Sequence, residues 1–423
     1  MPATILNGTN IASEVTEKLK TEIQSIKQEH PAFQPHLAIL QVGNRIESNL
    51  YVKIKQKTCE RIGLTTDYFK FPADVTQDVV MSKILELNDD AHVHGILLQL
   101  PLDCLHPIDA DTCIQAISRS KDVDGLHPFN SGLLARGNLR DGFIPCTAKA
   151  CLTIIEKTGI DLRGKQAVVI GRSKLVGSPM ADLLKWRDAT VTTCHSKTKN
   201  LPSIVEQADV LVVAVGHANL VKGEWLKPGA IVVDCGINYE DDPSSQNAYR
   251  LIGDVEFSSC SEKASFITPV PGGVGPMTVA TLLANTFDSA KGQLQRSTLR
   301  NTFKKESLIF KRFLSYSTAI QVPLKCQSSN VCGQPLPFLC HRDYSSQSLF
   351  AKNSLLLTSS KVVLHDMRSE STTHRHAFKR HRNRMESNLV PFSSTYSYNF
   401  SNYEHTLKVL LLRLKKSLRI FPK

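Results

Sequence analysis

The sequence predicts an α/β chain, with two α/β domains around a cleft and a largely disordered basic tail behind them. Three observations carry this reading. From about residue 36 to 290, short apolar β-rich runs alternate with amphipathic helical stretches. That is the rhythm of βα units in largely parallel sheets with helices on both faces. An irregular stretch, "DGLHPFNSGLLARGNL", breaks the rhythm before "DGFIPCTAKA" (141–150) opens a new helix. From about 292 the rhythm stops altogether.

Taken in order, the first domain spans 1–145. Its strands are "HLAILQV", "TDYFKF" and "HGILLQL", and its helices cover 48–62 and 76–88. The second domain spans 146–275, with strands "QAVVI", "ATVTTC", "DVLVVAV" and "AIVVDCG" and helices over 148–158 and 177–186. A last helix, 276–291, returns to complete the first domain. Residues 292–423 hold 20 serines in 132 positions and no periodic apolar pattern, the composition of a disordered segment.

Charge is divided the same way. The chain carries a net +12, yet residues 291–423 hold 23 Lys and Arg against 6 Asp and Glu. Residues 1–290 are therefore net acidic, and the basic total says nothing about what they bind. Nucleic acid is not expected as a partner of the folded part. The rival reading rests on the tail alone: "HRHAFKRHRNR" would contact nucleic acid, and "LKVLLLRLKKSLRIF" would lie on an acidic membrane. The 11 cysteines include no CxxC pair and no Cys/His spacing of a zinc site, so no metal is expected. They read as reduced core thiols of a cytoplasmic protein. No signal-peptide core and no apolar run of membrane-spanning length is present, so no membrane partner is expected.

"QAVVIGRSKLVGSPMADLL" (166–184) reads as a buried strand, a glycine turn and a helix. This is the context of a Rossmann-type dinucleotide site, with Gly171 and Gly177 present and the middle glycine replaced. The next strand should end beside the adenosine ribose, where an NAD enzyme places a carboxylate. Here stand Cys194, His195, Ser196, Lys197 and Lys199. Arg172, Ser196 and a lysine would attract a 2′-phosphate, so NADP is favoured as cofactor. Gly216, at the end of a later strand, allows close backbone approach or simply makes a turn.

In the first domain, Tyr51 and Lys55 stand four residues apart and share a helix face. An aromatic there holds a planar ring while the amine reaches a reacting atom, or the tyrosine packs on a lysine stem. Gln99, before Leu100 and Pro101, is a polar group at the mouth of an apolar strand and needs a partner; a lysine amine would serve. "KDVDGLHP" places Asp122 and Asp124 at a glycine turn, as turn carboxylates or as a grip on a heterocycle with adjacent N–H donors. "TPVPGGVGPMT" (268–278) is uncharged and holds three prolines and three glycines, a stiff wall open to close approach.

These stretches, with "SNLYVKIK", "LLQLPLD", "KDVDGL", "GFIPCT", "VVIGRSKLVGSPM", "TTCHSKT", "GEWLKPGAIVVDCGIN" and "ITPVPGGVGPMTVA", resemble the bifunctional methylenetetrahydrofolate dehydrogenase/cyclohydrolase family. The likeness covers residues 1 to about 291. It is strongest to the N-terminal part of the animal cytoplasmic trifunctional tetrahydrofolate synthases. The ligase domain of those proteins and its phosphate loop do not follow here, so ligase activity is expected to be missing. The resemblance implies NADP-dependent oxidation of a methylene folate and hydrolysis of the methenyl product in one cleft. It implies Lys55 as general acid/base, Gln99 as its orienting partner and Asp124 on the pterin. It implies Tyr51 on the aminobenzoate ring, with Leu100, Pro101, Pro271, Gly272 and Gly273 as further substrate contacts. For the cofactor it implies Gly171, Arg172, Ser173, Ser196, Gly216, Ile237 and Thr278. It also implies a cis X-Pro bond in the 268–278 loop and a homodimer through the dinucleotide-binding domain. A catalytically dead protein of the same fold is the remaining alternative, and the intact Lys55, Gln99 and Asp124 speak against it.

Overall fold

The computed structural model describes residues 2–241 and 249–319. The basic segments of the rival tail reading lie outside the described residues.

The chain opens with a two-residue strand, β1 (Thr4–Ile5), and a helix, α1 (Gly8–Glu29). The Asn7 side chain caps α1 by accepting from the Asn10 N–H at 3.1 Å. Ile11, Ala12, Thr16, Leu19 and Ile23 form its buried stripe. The spacing of that stripe is helical.

The first lobe is then β2 (His36–Val42), α2 (Ile46–Ile62), β3 (Thr65–Phe71), α3 (Gln77–Asp89), β4 (Gly95–Gln99), α4 (Ala110–Ala116) and α5 (Pro128–Ala135). Its three strands pair in parallel in the order β3-β2-β4. β2 is central, so it is an unbroken apolar run whose alternate residues serve two cores. Leu37 and Ile39 pack toward α1 and α2, while Ala38, Leu40 and Val42 pack toward α3 and α4. α2 stops at Gly63, which takes the left-handed conformation (φ 86°) that closes a helix C-terminus without a Cβ clash.

The second lobe runs α6 (Cys146–Glu156), β5 (Gln166–Ile170), α7 (Gly177–Lys185), β6 (Thr190–Cys194), α8 (Leu201–Val205), β7 (Val210–Val213), β8 (Ile231–Asp234), the hairpin β9 (Asn238–Asp241) and β10 (Tyr249–Ile252), α9 (Phe257–Lys263) and β11 (Phe266–Ile267). The large sheet has the order β1-β11-β8-β7-β5-β6, and its pairings are all parallel. Ala167, Val169, Val210 and Val212 face one core; Val168, Ile170, Leu211 and Val213 face the other. β1 therefore belongs to the second lobe's sheet, which departs from a first domain running unbroken over 1–145. Two residues of extended chain carry no periodic signal, so only the pairing Thr4↔Phe266 and Ile5↔Ile267 reveals the strand.

The last helix, α10, runs Val274–Ala319. It does not stop at 291, and the tail expected to be disordered from 292 is helical as far as 319. After Gly292 no Gly or Pro occurs before Pro323, and Leu, Lys, Arg, Gln and Glu supply helix propensity. Val279, Leu282, Leu283 and Phe287 are buried in the first lobe, and Phe287 meets Phe33 edge-on at 6.2 Å. Further along, Leu299, Leu308 and Ile309 are exposed. The eight cysteines among the described residues are free thiols; Cys151 and Cys235 bring their sulfurs to 3.3 Å. No helix among these residues is long and apolar enough to cross a membrane, and no metal-binding cluster is present among them.

Candidate active site

The first lobe's chemistry gathers at the carboxyl end of β4. Lys55, on α2, is 8% exposed and donates its Nζ to Gln99 Oε1 at 2.7 Å. Gln99 is held in turn by donating Nε2 to the Leu100 carbonyl at 2.8 Å. The partner that an apolar strand-end glutamine requires is thus the lysine one helix away. Burial lowers the Lys55 pKa from the ordinary lysine value, against the opposing attraction of the Asp124 carboxylate. Burial raises Asp124, against the opposing pull of Lys55.

The two aspartates of "KDVDG" separate cleanly. Asp122 is buried and spent on structure: it accepts from the N–H groups of Leu126 and His127 and from the Asn130 amide, the last at 2.7 Å. Asp124 is only partly buried and couples electrostatically to Lys55. Tyr51, one turn before Lys55, has its hydroxyl against Gly275, where an added Cβ would lie 3.6 Å away. Burial raises its pKa.

The loop entering α10 closes the same site. Val270–Pro271 is cis, and so is Leu100–Pro101. The Gly272 carbonyl accepts from the Thr9 N–H at the start of α1 (3.2 Å), and at the loop's root the Thr268 hydroxyl accepts from the Asp234 N–H at 2.8 Å. The loop is held from both lobes. Thr9 was not foreseen, nor was Cys146. The Cys146 thiol donates to the Val123 carbonyl at 3.3 Å, beside the Asn285 amide, and burial with the nearby Asp124 carboxylate pushes it well above the usual thiol range. Cys146 stands in "GFIPCT", a stretch whose match was visible but whose role was not.

In the second lobe, β5 and β6 end side by side, Ile170 opposite Cys194. Two residues beyond each end stand Arg172 and Ser196, both exposed. An added Cβ on Gly177 would lie 2.3 Å from the Gly171 carbonyl oxygen, so only glycine lets α7 start this close to the strand end. Ser173 Oγ accepts from the Val176 N–H at 3.2 Å and so shapes the turn. No carboxylate occurs in 171–178 or 194–199. A positive and hydroxyl-bearing rim without acidic residues fits a dinucleotide with a 2′-phosphate. Gly216 and Ile237 lie exposed after β7 and β8, at the same edge of the parallel sheet. Thr278 is different, since its hydroxyl donates to the Val274 carbonyl within α10 at 3.1 Å. Burial raises the Asp234 carboxyl to about 6, although three backbone N–H groups oppose the shift.

Fold and site together define a dinucleotide-binding α/β protein whose first lobe carries a buried lysine–glutamine pair beside a carboxylate. Family models agree: residues 6–124 match the tetrahydrofolate dehydrogenase/cyclohydrolase catalytic domain, and 145–294 match its NAD(P)-binding domain. The chain is 46% identical over 289 residues to bifunctional protein FolD 2 of Arabidopsis thaliana, covering 68% of this chain and 96% of that protein. It is 54% identical over 295 residues to cytoplasmic C-1-tetrahydrofolate synthase of Homo sapiens, covering 70% of this chain and 32% of that protein. The chain thus spans about a third of that longer relative. Among solved structures, Trypanosoma brucei FolD complexed with NADP cofactor and inhibitor superposes with a TM-score of 0.67 at 37% identity, covering 70% of this chain and 99% of that one. The chain belongs to the tetrahydrofolate dehydrogenase/cyclohydrolase family.

Proposed function

We propose that the chain oxidises 5,10-methylenetetrahydrofolate with NADP⁺ and hydrolyses the methenyl product to 10-formyltetrahydrofolate. The observation that carries this reading is the 2.7 Å Lys55–Gln99 pair at the mouth of β4. It supplies a buried amine of lowered pKa, the requirement for a base near neutral pH.

When bound, NADP⁺ supplies the acceptor for a hydride from the methylene carbon. Arg172 and Ser196 bind its 2′-phosphate, and Ser173 a neighbouring phosphate or ribose oxygen. Gly171 and Gly216 admit the cofactor to the backbone, with Ile237 and Thr278 as flanking contacts. Tyr51 stacks on the aminobenzoate ring and Asp124 accepts from the pterin N–H groups. Leu100, Pro101, Pro271, Gly272 and Gly273 form the walls that align the folate.

In the hydrolysis, neutral Lys55 accepts a proton from water as the water oxygen bonds to the methenyl carbon. Lys55 then returns that proton to N5 as the bond from that carbon to N5 breaks, and the remaining hydroxyl proton passes to solvent as the formyl C=O forms. Gln99, tied to the Leu100 carbonyl, holds the amine in line throughout. An absorbance assay on the purified chain tests this, following methenyl formation with NADP⁺ or NAD⁺ and then methenyl loss. Turnover with NADP⁺ preferred supports the reading; a folded protein inert with both cofactors overturns it.

We also propose a cytoplasmic homodimer formed through the second lobe. The β9–β10 hairpin belongs to neither large sheet, and it presents an exposed Tyr239 edge-on to Tyr249 at 5.0 Å. Sedimentation of the Tyr239→Asp variant as a monomer, against a wild-type dimer, is the expected result.

A further inference from the structure

Asp254 is fully buried, yet it ligates no metal and belongs to no ion pair among the described residues. Its carboxylate is filled by four donors instead. Oδ2 accepts from the N–H groups of Val215 at 2.7 Å and Gly216 at 3.0 Å. Oδ1 accepts from the His217 N–H at 2.8 Å and the Asn238 amide at 3.0 Å. Three consecutive backbone N–H groups of the loop after β7 thus turn inward onto one buried charge. Val215, Gly216 and His217 are themselves exposed. The same loop lies against the glycine turn after β5, for an added Cβ on Gly171 would fall 2.3 Å from the Ala214 carbonyl oxygen.

Asp254 is anchored in turn. Its own N–H donates to Asp234 Oδ1 at 3.0 Å, and the Val255 N–H donates to Asp234 Oδ2 at 2.9 Å. Asp234 ends β8, and its N–H donates to Thr268 Oγ1 at 2.8 Å. The carboxylate is therefore fixed to the sheet, while the loop is fixed to the carboxylate.

We propose that Asp254 is a positioning residue for the dinucleotide, holding loop 215–217 in the shape that receives the cofactor while touching none of it. The proposal rests on the functional reading above. A loop already ordered by charge-assisted bonds loses little freedom when a ligand arrives. Asparagine has the same shape but only one acceptor oxygen. In either orientation its NH₂ end faces two of the four donors. Asp254→Asn keeps the backbone N–H to Asp234, so it releases the loop and spares the anchor.

The experiment measures four quantities on the full chain carrying Asp254→Asn: NADPH affinity by fluorescence titration, KM for NADP⁺, KM for the folate, and the rate of methenyl hydrolysis, which uses no NADP. The expected result is a rise of roughly tenfold or more in both the NADPH Kd and the KM for NADP⁺. Folate KM and hydrolysis stay within about twofold, a split that general loosening of the fold would not give. Asn238→Ala removes one donor and leaves the carboxylate in place, and it is expected to raise the NADPH Kd by a smaller factor. If Asp254→Asn does not fold, an unchanged Kd in Asn238→Ala overturns the proposal. An unchanged Kd in folded Asp254→Asn, or equal loss of hydrolysis and cofactor affinity, overturns it too. Wild-type chain that binds NADPH without oxidising folate refutes the functional reading but leaves the Kd comparison to decide this one. Wild-type chain that binds no NADPH refutes both.

Discussion

Replacing Lys55 by glutamine separates the two reactions assigned to one cleft. The Lys55 amine is buried and bonded to Gln99 Oε1. Glutamine at 55 is one bond shorter but points an N–H donor towards the same oxygen, so the cost in stability is expected to stay near ~1 kcal/mol. What disappears is the titratable amine. A positioned acid/base group contributes about 10²–10⁴ in rate, or about 2.7–5.4 kcal/mol of barrier. Hydrolysis of 5,10-methenyltetrahydrofolate should therefore fall by about that factor. Hydride transfer needs alignment of two rings and no proton at Lys55, so oxidation should keep most of its rate. Methenyl loss and NADPH formation are both followed by absorbance on the same preparation, with thermal unfolding as the control for folding. An equal loss of both activities in a variant that melts like the wild type would refute this division of labour.

Further outcomes are expected. Hydrolysis should rise with pH as Lys55 loses its proton, on a limb that burial sets below the ordinary lysine range. Asp124 opposes that lowering, so Asp124→Asn should move the limb to still lower pH in a pH–rate profile, a shift towards higher pH counting against the coupling. Because the fold binds the Lys55 proton less readily than the unfolded chain does, this group's contribution to stability rises with pH through the window between the two pKa values. Arg172→Ala should raise KM for NADP⁺ by about tenfold to a hundredfold through loss of an arginine–phosphate contact, with the folate KM little changed in steady-state kinetics. Phe287→Ala, which empties a fully buried position between α10 and the first lobe, should lower stability by about 3–5 kcal/mol in urea unfolding.

The strands were legible because their residues alternate between two cores. β2 reads "HLAILQV" since both of its faces are covered, and β5, β7 and β8 read alike for the same reason. The chemistry was legible where one side chain demanded another. Gln99 ends an apolar strand and required a donor, and Lys55 proves to be that donor. Asp122 and Asp124 were not distinguishable in sequence. Which one turns into the fold depends on Asn130, eight residues away on another element. β1 was invisible because two residues become a strand only when β11 lies beside them. The four donors on Asp254 were invisible for a related reason: three are backbone N–H groups, which every sequence carries and none advertises.

The 268–278 loop shows why this division matters for the chemistry. Prolines and glycines announce a stiff wall open to close approach, but they do not say what holds it. The structure gives two holds of different origin. Thr9, on the first helix, donates to the Gly272 carbonyl, and Thr268 joins the loop's root to Asp234 at the end of β8. Asp234 in turn holds Asp254, and Asp254 holds loop 215–217. The segment proposed to face the folate and the segment proposed to receive the cofactor are thus attached to one pair of buried carboxylates. Alignment of two flat rings is most of what hydride transfer asks of a protein. A shared anchor sets both rings against the same reference. The base proposed on α2, Lys55, is tied to Gln99 and not to this anchor among the described residues, so it would serve the hydrolysis on its own terms.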